Sequence, residues 1–290
     1  MRIVSILRRI IGPLAIAAVL AGCSAVKLGY NNFAEVAYWW LDSYIEFSDE
    51  QAPRVRQDLA RLHSWHRTQE LPRLAEMLHR MEELAPADIT DAQACAFVPR
   101  IRERLQATAN QAQPALITLA MTLSTDQLRH LERKYERNNA EYRKKWIEPP
   151  PAEVADKRLH QFLERSESIY GSLDEPQRIV LRRQLEHSVF DGRKVLAERM
   201  RRQQDALRTL RRLSAEPLSF ADAGALMRGY FARVDEPPDP AHRRYQRALM
   251  DEGCRAFASL HNSTTPAQRD AAVGRLLAYQ RDLRELAAQQ

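Results

Sequence analysis

The residues of this chain with the widest covalent chemistry are its three cysteines. Cys23 directly follows Leu20-Ala21-Gly22 at the end of an apolar stretch, whereas Cys95 and Cys254 lie in two distant amphipathic segments. A cysteine thiol can be acylated, oxidised to a disulfide or coordinated to a metal, depending on its surroundings. The sequence around each cysteine therefore indicates which of these reactions it undergoes.

The segment that ends at Cys23 resembles a bacterial lipobox, the signal for cleavage before a cysteine that is then acylated on its sulfur and new amino group. Three arginines precede an apolar stretch over 10–20, which is too short to span a bilayer about 30 Å thick. The resemblance implies a signal peptide over 1–22, a mature chain that begins at Cys23, and covalent lipid in place of any cofactor. Two alternatives are an uncleaved interfacial helix and an ordinary signal in which Cys23 is incidental.

The residue after the cysteine bears on the destination of the protein. By resemblance to lipoprotein sorting, Ser24 implies transfer to the outer membrane of a Gram-negative cell. The acyl chains would attach the protein to the lipid bilayer at the inner, periplasmic leaflet, and the rest of the chain would be water-soluble. The periplasm is oxidising, so the remaining pair, Cys95 and Cys254, forms either a disulfide or two buried thiols. Our hypothesis is a disulfide, which would close a loop of about 160 residues and stabilise the fold by roughly 5 kcal/mol.

Charge and composition exclude several classes of function. Removal of the signal takes three arginines and no acids, leaving 41 basic and 38 acidic residues, a balance unlike that of a nucleic-acid-binding protein. Only 9 glycines occur in 290 residues, about 3% against a typical 7%. Gly224 and Gly229 have the spacing of a P-loop, but Tyr230 occupies the position of the essential lysine. The sequence predicts no nucleic-acid partner and no nucleotide site.

Two clusters of polar residues have ligand or catalytic chemistry. His63, His66 and Glu70 share one face of a predicted helix and are of the types that bind divalent metals. No further ligand recurs at a matching spacing, so we interpret them as surface or core residues and predict no metal site. A second cluster holds carboxylates, but nothing supplies a nucleophile opposite them, and we predict that the protein is not an enzyme. These carboxylates are Asp42, Glu46, Asp49 and Glu50.

Almost every long segment has the period of an amphipathic helix, and strand-like alternation is missing. One stripe follows Val55 through Leu59, Leu62, His63 and His66. A second runs through Leu181, Leu185, Val189, Leu196, Met200, Leu207 and Leu210. Proline clusters at 149–151 and 237–240 interrupt the pattern. We therefore predict an all-α fold, an array of about eight or nine helices arranged as hairpins or a bundle, in one periplasmic domain over 23–290 with a subdivision near 149–151 as the alternative.

A repeated start signal organises these helices. A hydrophobic residue is followed by Ser, Thr or Asp and, three positions later, by Gln, the pattern of a capping box in which the cap side chain and the Gln side chain each bond the other's backbone N–H. The five copies pair Ser48 with Gln51, Thr90 with Gln93, Ser124 with Gln127, Asp174 with Gln177, and Thr265 with Gln268. Ser219 with Asp222 is a weaker sixth copy.

The caps lie 34 to 50 residues apart, which suits helical hairpins but is too uneven for a strict solenoid. They are either ordinary helix starts or copies of one specific motif. A capping box accepts Glu as readily as Gln, so the use of Gln in all five copies is an argument for a specific motif. Capping boxes are common, however, and we interpret the copies as ordinary helix starts.

The cap motif resembles the L-T-x-x-Q signature of the periplasmic Spy and CpxP stress proteins, which are all-helical and bind unfolded clients. More of the sequence resembles DUF6279, a family of bacterial lipoproteins of unknown function. Three segments carry this resemblance most clearly, with 141–146 as weaker support: Leu28-Gly29-Tyr30-Asn31-Asn32, Trp39-Trp40-Leu41-Asp42-Ser43-Tyr44 and Phe47-Ser48-Asp49-Glu50-Gln51. The family brings no established activity with it.

Aromatic residues are concentrated between positions 30 and 47. Phe33, Trp40, Tyr44 and Phe47 are spaced by seven, four and three residues, which places them on one helical face. We predict that this face is core and that Trp39 is exposed. The alternative is an interfacial patch that docks the first helix on the bilayer, where tryptophan and tyrosine are enriched.

A basic segment extends from Arg193 to Arg212. Its members are Arg193, Lys194, Arg199, Arg201, Arg202, Arg208, Arg211 and Arg212, interspersed with Glu198 and Asp205. Such a run is usually a solvated face, and the alternative is contact with anionic lipid or acidic partners.

Two functions of different class agree with these observations. The first is a membrane-anchored, non-enzymatic protein-binding module that is chaperone-like or active in envelope stress, with unfolded or envelope proteins as partners. The second is a structural or adaptor lipoprotein that scaffolds an envelope complex.

Overall fold

A computed structural model describes residues 27–289, and every regular element in this range is helical. The predicted all-α fold is confirmed. The lipobox residues Leu20, Ala21, Gly22 and Cys23 lie outside the described range. The helices are α1 (Phe33–Ile45), α2 (Gln51–Trp65), α3 (Leu71–Leu84), α4 (Asp91–Cys95), α5 (Phe97–Ala120), α6 (Thr125–Trp146), α7 (Pro151–Tyr170), α8 (Glu175–Glu186), α9 (Gly192–Ala215), α10 (Phe220–Asp235), α11 (Pro240–Ser263) and α12 (Pro266–Ala288).

The helices outnumber the predicted eight or nine partly because some breaks are slight. A π-helical segment, His66–Glu70, joins α2 to α3, so helical structure continues from 51 to 84 over about 50 Å. Only Ala96 separates α4 from α5. The predicted stripe over 181–210 is also divided, because the chain leaves the helix between α8 and α9. Val189 lies in this linker and is 43% exposed, so its assignment to the helical stripe was wrong.

Two four-helix groups have the same arrangement. In the N-terminal module, defined as α1, α2, α5 and α6, α1 packs on α2 and α6, and α2 packs on α5. In the C-terminal module, defined as α7, α8, α11 and α12, α7 packs on α8 and α12, and α8 packs on α11. Each module thus consists of one packed hairpin and a second pair of consecutive helices, each of which packs on one arm of that hairpin. The chain passes from one module to the other between Trp146 and Pro151.

The remaining helices connect the modules. Helix α3 packs along α12, and α4 packs on α11. The α9–α10 hairpin packs on α5 and α6. A hydrophobic cluster around Ile117, Leu213 and Met227 joins α5, α9 and α10, and another around Leu181 and Leu260 lies in the C-terminal module.

Candidate functional site

Four of the five cap motifs meet in pairs, one pair in each module. In every member of these pairs the Gln side-chain oxygen accepts a hydrogen bond from the backbone N–H of its own cap residue, at 2.9–3.1 Å. The cap oxygen in turn accepts from the backbone N–H of the Gln. At Ser48 these bonds are present although the regular α2 helix begins only at Gln51.

The Gln amide nitrogens then connect each turn to its partner. In the N-terminal module, Gln51 Nε2 donates to the Thr122 carbonyl at 3.0 Å, and Gln127 Nε2 donates to the Glu46 carbonyl at 2.9 Å. Both carbonyls lie two residues before the partner's cap. The two amides also contact each other, with Gln127 Nε2 lying 2.6 Å from Gln51 Oε1.

The C-terminal module repeats this geometry. Gln177 Nε2 donates to the Ser263 carbonyl at 3.1 Å, and Gln268 Nε2 donates to the Ser172 carbonyl at 2.9 Å. The amide of Gln177 also lies 2.6 Å from Gln268 Oε1, and Gln177 is 2% exposed. We call these two arrangements the paired caps. They join hairpin turns to each other and so do not line a concave surface open to a client.

The other cap motifs act alone. Thr90 and Gln93 form a complete capping box at the start of α4, and every described bond of the Gln93 side chain is made to Thr90. Ser219 caps α10 by accepting from the Asp222 N–H at 3.1 Å. These two boxes serve as helix caps only.

Cys95 and Cys254 form a disulfide in the structure, with their Cα atoms 5.4 Å apart. The bond connects the end of α4 to the middle of α11, across 159 positions of sequence. It pins a helix from the first half of the chain to one from the second half.

Of the three residues considered as metal ligands, His66 and Glu70 are bonded to other groups, whereas Nε2 of His63 is buried without a hydrogen-bond partner among residues 27–289. Tyr30 Oη lies 2.9 Å from His66 Nδ1, and the Glu70 carboxylate, 1% exposed, lies 2.9 Å from Arg73 and 3.5 Å from Arg104. Burial lowers the pKa of His63 and of His66. Within residues 27–289 no group of three or more His, Cys, Asp or Glu side chains is arranged to hold a metal.

The acidic cluster is also occupied locally. Asp42 Oδ1 accepts from the Phe47 N–H at 2.8 Å, Glu46 lies 3.1 Å from His130, and Glu50 accepts from the Ser48 hydroxyl at 2.7 Å. Asp42 and Glu50 stabilise the turn between α1 and α2, and Glu46 connects this turn to α6.

The aromatic face of α1 differs from the prediction. Phe33 is 43% exposed and Trp40 is 60% exposed, so their assignment to the core was wrong. The inward residue is Tyr38, which is 6% exposed, while Tyr44 and Phe47 are half-buried. Among residues 27–289, α1 packs on α2 and α6, which cover one side of the helix and leave the opposite side exposed. Trp39, at 62%, is exposed as predicted.

We define the α1 aromatic stripe as Phe33, Val36, Trp39 and Trp40. These residues lie at i, i+3, i+6 and i+7, on one side of the helix, and each is at least 43% exposed. A stripe of this composition, with two tryptophans, is typical of a surface that contacts a membrane interface or another protein.

An apolar groove of about 440 Å³ lies between α2 and α5, beside α1 and the start of α10. Val55, Leu62 and Leu116 lie along it, and Phe220, 55% exposed, stands at its edge. The charged rim is partly neutralised, because Asp58 pairs with both Arg54 and Arg61. The sequence analysis missed this groove, since its walls come from four helices that are distant along the chain.

The basic segment forms most of α9 and is only partly a solvated face. Arg201 and Arg202 bind the buried Glu198 carboxylate at 2.8 and 2.7 Å. Arg233 of α10 binds the buried Asp205 at 2.8 Å. The Asp205–Arg233 pair holds α9 against α10, the Glu198 pairs lie within α9, and Arg193 and Arg208 remain exposed.

The fold and the paired caps define an all-helical protein in which the turns between consecutive helices are joined in pairs. A family model described as a family of unknown function, DUF6279, matches residues 43–223. The chain belongs to this family, as the sequence resemblance implied. Searches of curated proteins and of solved structures each found no match. Between residues 27 and 289, no helix is both long enough and apolar enough to cross a bilayer.

Proposed function

We propose that this protein is a lipid-anchored, non-enzymatic protein-binding module of the cell envelope. The observation that carries the proposal is the apolar groove between α2 and α5. Exposed apolar surface of this kind marks interaction sites on otherwise soluble proteins, because leaving it in water is unfavourable.

The groove suits an apolar segment of another polypeptide. Leucine, valine, alanine and proline side chains make up its apolar lining beside the charged rim, and Phe220 is placed to cover a bound segment. An unfolded or partly unfolded envelope protein exposes such segments, and binding them needs no nucleotide. The paired caps contribute indirectly, since they fix the α5–α6 turn against the α1–α2 turn and so hold the two walls of the groove together.

The anchor is supported by the lipobox and by the α1 aromatic stripe. Lys27 pairs with Asp282 at 2.8 Å, which ties the chain to α12 shortly after the predicted acylation site. Lys27 lies only four positions after Cys23, a reach of at most about 14 Å. Acyl chains at Cys23 would therefore hold the protein close to the bilayer, with the tryptophans of α1 near the interfacial zone that they favour.

The proposal is tested by aggregation of a reduced or denatured client protein. The purified protein is expected to slow aggregation at near-stoichiometric ratio without ATP, and Phe220→Ser with Leu62→Ser is expected to remove most of this effect. Phe257→Ser is the matched control, since Phe257 is 42% exposed but lies on α11, away from the groove. No suppression with any of several clients would overturn the proposal.

An adaptor that scaffolds an envelope complex is the second candidate. It is favoured by the paired caps, whose Gln amides bond each other instead of facing solvent, and by the disulfide. Both make the fold rigid, which suits one defined partner better than many different clients. Capture of one defined partner at fixed stoichiometry, lost in the Phe220→Ser variant, would support this alternative over general client binding.

A further inference from the structure

A second cavity, of about 360 Å³, lies among α6, α9, α10 and α11. Its size is at the lower end of the range of small-molecule sites, about 300–1,000 Å³. Unlike the apolar groove, it combines aromatic rings with hydrogen-bond donors. The side chains that supply these rings and donors include Tyr135, Arg199, Tyr230, Tyr245 and Gln246.

Two tyrosine hydroxyls at this cavity have no protein acceptor. Tyr135 and Tyr230 both line the cavity, and across the described chain neither hydroxyl makes a hydrogen bond to another residue. Both hydroxyls are reached by solvent. Among residues 27–289 the only polar side-chain atom that is fully buried without a hydrogen-bond partner is Nε2 of His63. Burial raises the pKa of Tyr135 to about 12 and also raises the pKa of Tyr230, so both hydroxyls stay protonated and can donate.

The electrostatic surroundings favour an anion. Glu198 is bound by Arg201 and Arg202, and Asp205 is bound by Arg233. Arg199 also lines the cavity and pairs with no carboxylate among residues 27–289; its guanidinium lies 5.7 Å from the centre of the Tyr142 ring. Guanidinium groups therefore outnumber carboxylates around the cavity, and one of them is available to a ligand.

We propose that this cavity binds a small organic phosphate, with the phosphate at Arg199 and the hydroxyls of Tyr135 and Tyr230, and with the organic portion against the Tyr245 ring and Leu249. A phosphate offers several acceptor oxygens to these convergent donors, and Arg recognises it through two parallel N–H bonds. The Gln246 amide, which has no partner in the described structure, supplies a further donor. This proposal does not depend on the apolar groove.

Calorimetric titration of the purified full-length protein in non-ionic detergent tests the proposal with two probes. Phenyl phosphate represents a soluble phosphate ester, and dihexanoyl phosphatidic acid represents a lipid headgroup. We expect saturable binding of one molecule per chain to at least one probe, more tightly than to inorganic phosphate and more weakly at high salt. The tighter probe identifies the source of the phosphate.

Variants locate the site. Arg199→Gln is expected to weaken binding about tenfold or more, and Tyr230→Phe several-fold, because each removes a donor to a charged ligand. Arg193→Gln is the control, since Arg193 lies on the same helix, is exposed, and does not line the cavity. Circular dichroism melting checks that each variant folds, and Tyr230→Phe keeps the ring. Absence of saturable binding to both probes at millimolar concentration, or equal weakening by Arg193→Gln, overturns the proposal.

Discussion

The side-chain amide of glutamine has a specific role in the paired caps. Each Gln oxygen accepts from the N–H of its own cap residue and from the amide of the partner Gln, and each Gln nitrogen also donates to the carbonyl of the other turn. An ionised carboxylate can only accept hydrogen bonds. A Glu at this position would therefore have no proton to donate to the carbonyl of the other turn or to the side-chain oxygen of the partner Gln. This explains why the paired motifs use Gln although an isolated capping box accepts either residue.

The first prediction compares a paired cap with an isolated one. Gln177→Glu is expected to lower the free energy of unfolding by about 2–4 kcal/mol, because it buries a charge and leaves the Ser263 carbonyl without its donor. Gln93→Glu is the matched control, and we expect a change within about 0.5 kcal/mol, since the Thr90 box needs only an acceptor. Urea unfolding of both variants provides the measurement. Equal effects at the two positions would contradict a specific role for the amide.

His261 illustrates a second buried polar arrangement. Its Nε2 lies 2.8 Å from the Ala87 carbonyl and its Nδ1 lies 2.8 Å from Tyr170 Oη. A carbonyl can only accept, so Nε2 carries the proton and Nδ1 accepts from the tyrosine hydroxyl. Burial raises the pKa of Tyr170 to about 12 and lowers the pKa of His261 below its ordinary 6.5, so the neutral ring is the stable form.

The second prediction is a loss of stability on mild acidification. In the unfolded chain His261 titrates near 6.5, whereas in the folded protein its pKa is lower, so the unfolded state binds more protons between these values. The contribution of neutral His261 to the stability of the folded protein is therefore fully present above pH 6.5, and it decreases as the pH falls through and below that value. His63 and His66 act in the same direction, while the raised pKa of His79 opposes them.

The measurement is the melting temperature between pH 7.5 and 5.5. We expect it to fall with pH, by about 2–4 °C for each kcal/mol lost. His261→Gln should melt lower at pH 7.5 and show a shallower pH dependence, whereas His160→Gln, at an exposed position, should keep the original slope. An unchanged slope in His261→Gln would exclude His261 as a source of the pH dependence.

At the scale of the helix, α1 packs on α2 and α6 along one side, and within residues 27–289 its opposite side is left uncovered. Its covered side carries Tyr38, with Leu41 and Ile45 at helical spacing, and Arg56 lies over the Tyr38 ring at 3.6 Å. The uncovered side carries the α1 aromatic stripe. A tether at Cys23 would bring this uncovered side to a bilayer, which offers it a suitable environment.

The third prediction separates the contribution of this stripe from that of the acyl chains. In a Cys23→Ser protein that lacks acylation, we expect weak binding to phospholipid vesicles that is reduced several-fold by Trp39→Ser with Trp40→Ser. Phe257→Ser serves as the control for general loss of exposed aromatic surface. Vesicle sedimentation measures the bound fraction. Equal binding by the tryptophan variant and its parent would show that the stripe does not contact lipid.

At the scale of the whole molecule, two modules with one arrangement are joined by helices that lie outside the shared pattern. The long α2–α3 rod extends from the N-terminal module to α12 of the C-terminal module. The α4–α11 contact contains the disulfide. The bond between Cys95 and Cys254 therefore restrains the relative position of the two modules as well as the unfolded chain.

The fourth prediction concerns this disulfide. Reduction, or Cys254→Ser, is expected to lower the free energy of unfolding by about 2–5 kcal/mol, because the cross-link closes a long loop in the unfolded chain. Chemical unfolding with and without reductant measures the change. Intact mass should increase by two hydrogen atoms on reduction, and an unchanged mass would show that the bond is absent in the purified protein. Ser263→Ala is expected to change stability much less and controls for substitution in α11.

The sequence by itself determined the features that depend on residues close together along the chain. Helix starts are readable because a cap and its Gln bond each other across three residues, and prolines mark where helices end. The all-α class and the family membership followed from such local patterns.

The tertiary structure decided every feature that joins distant residues. The amides of Gln51 and Gln127 are 76 positions apart, and those of Gln177 and Gln268 are 91 apart, so no local spacing indicates that they meet. Helical spacing showed that Phe33 and Trp40 share a side of α1 but not which side the neighbouring helices cover. The groove and the cavity depend on four helices each, and their shapes arise only when those helices pack. Local hydrogen bonding is encoded within a few residues, whereas the choice of packing partners is a property of the whole chain.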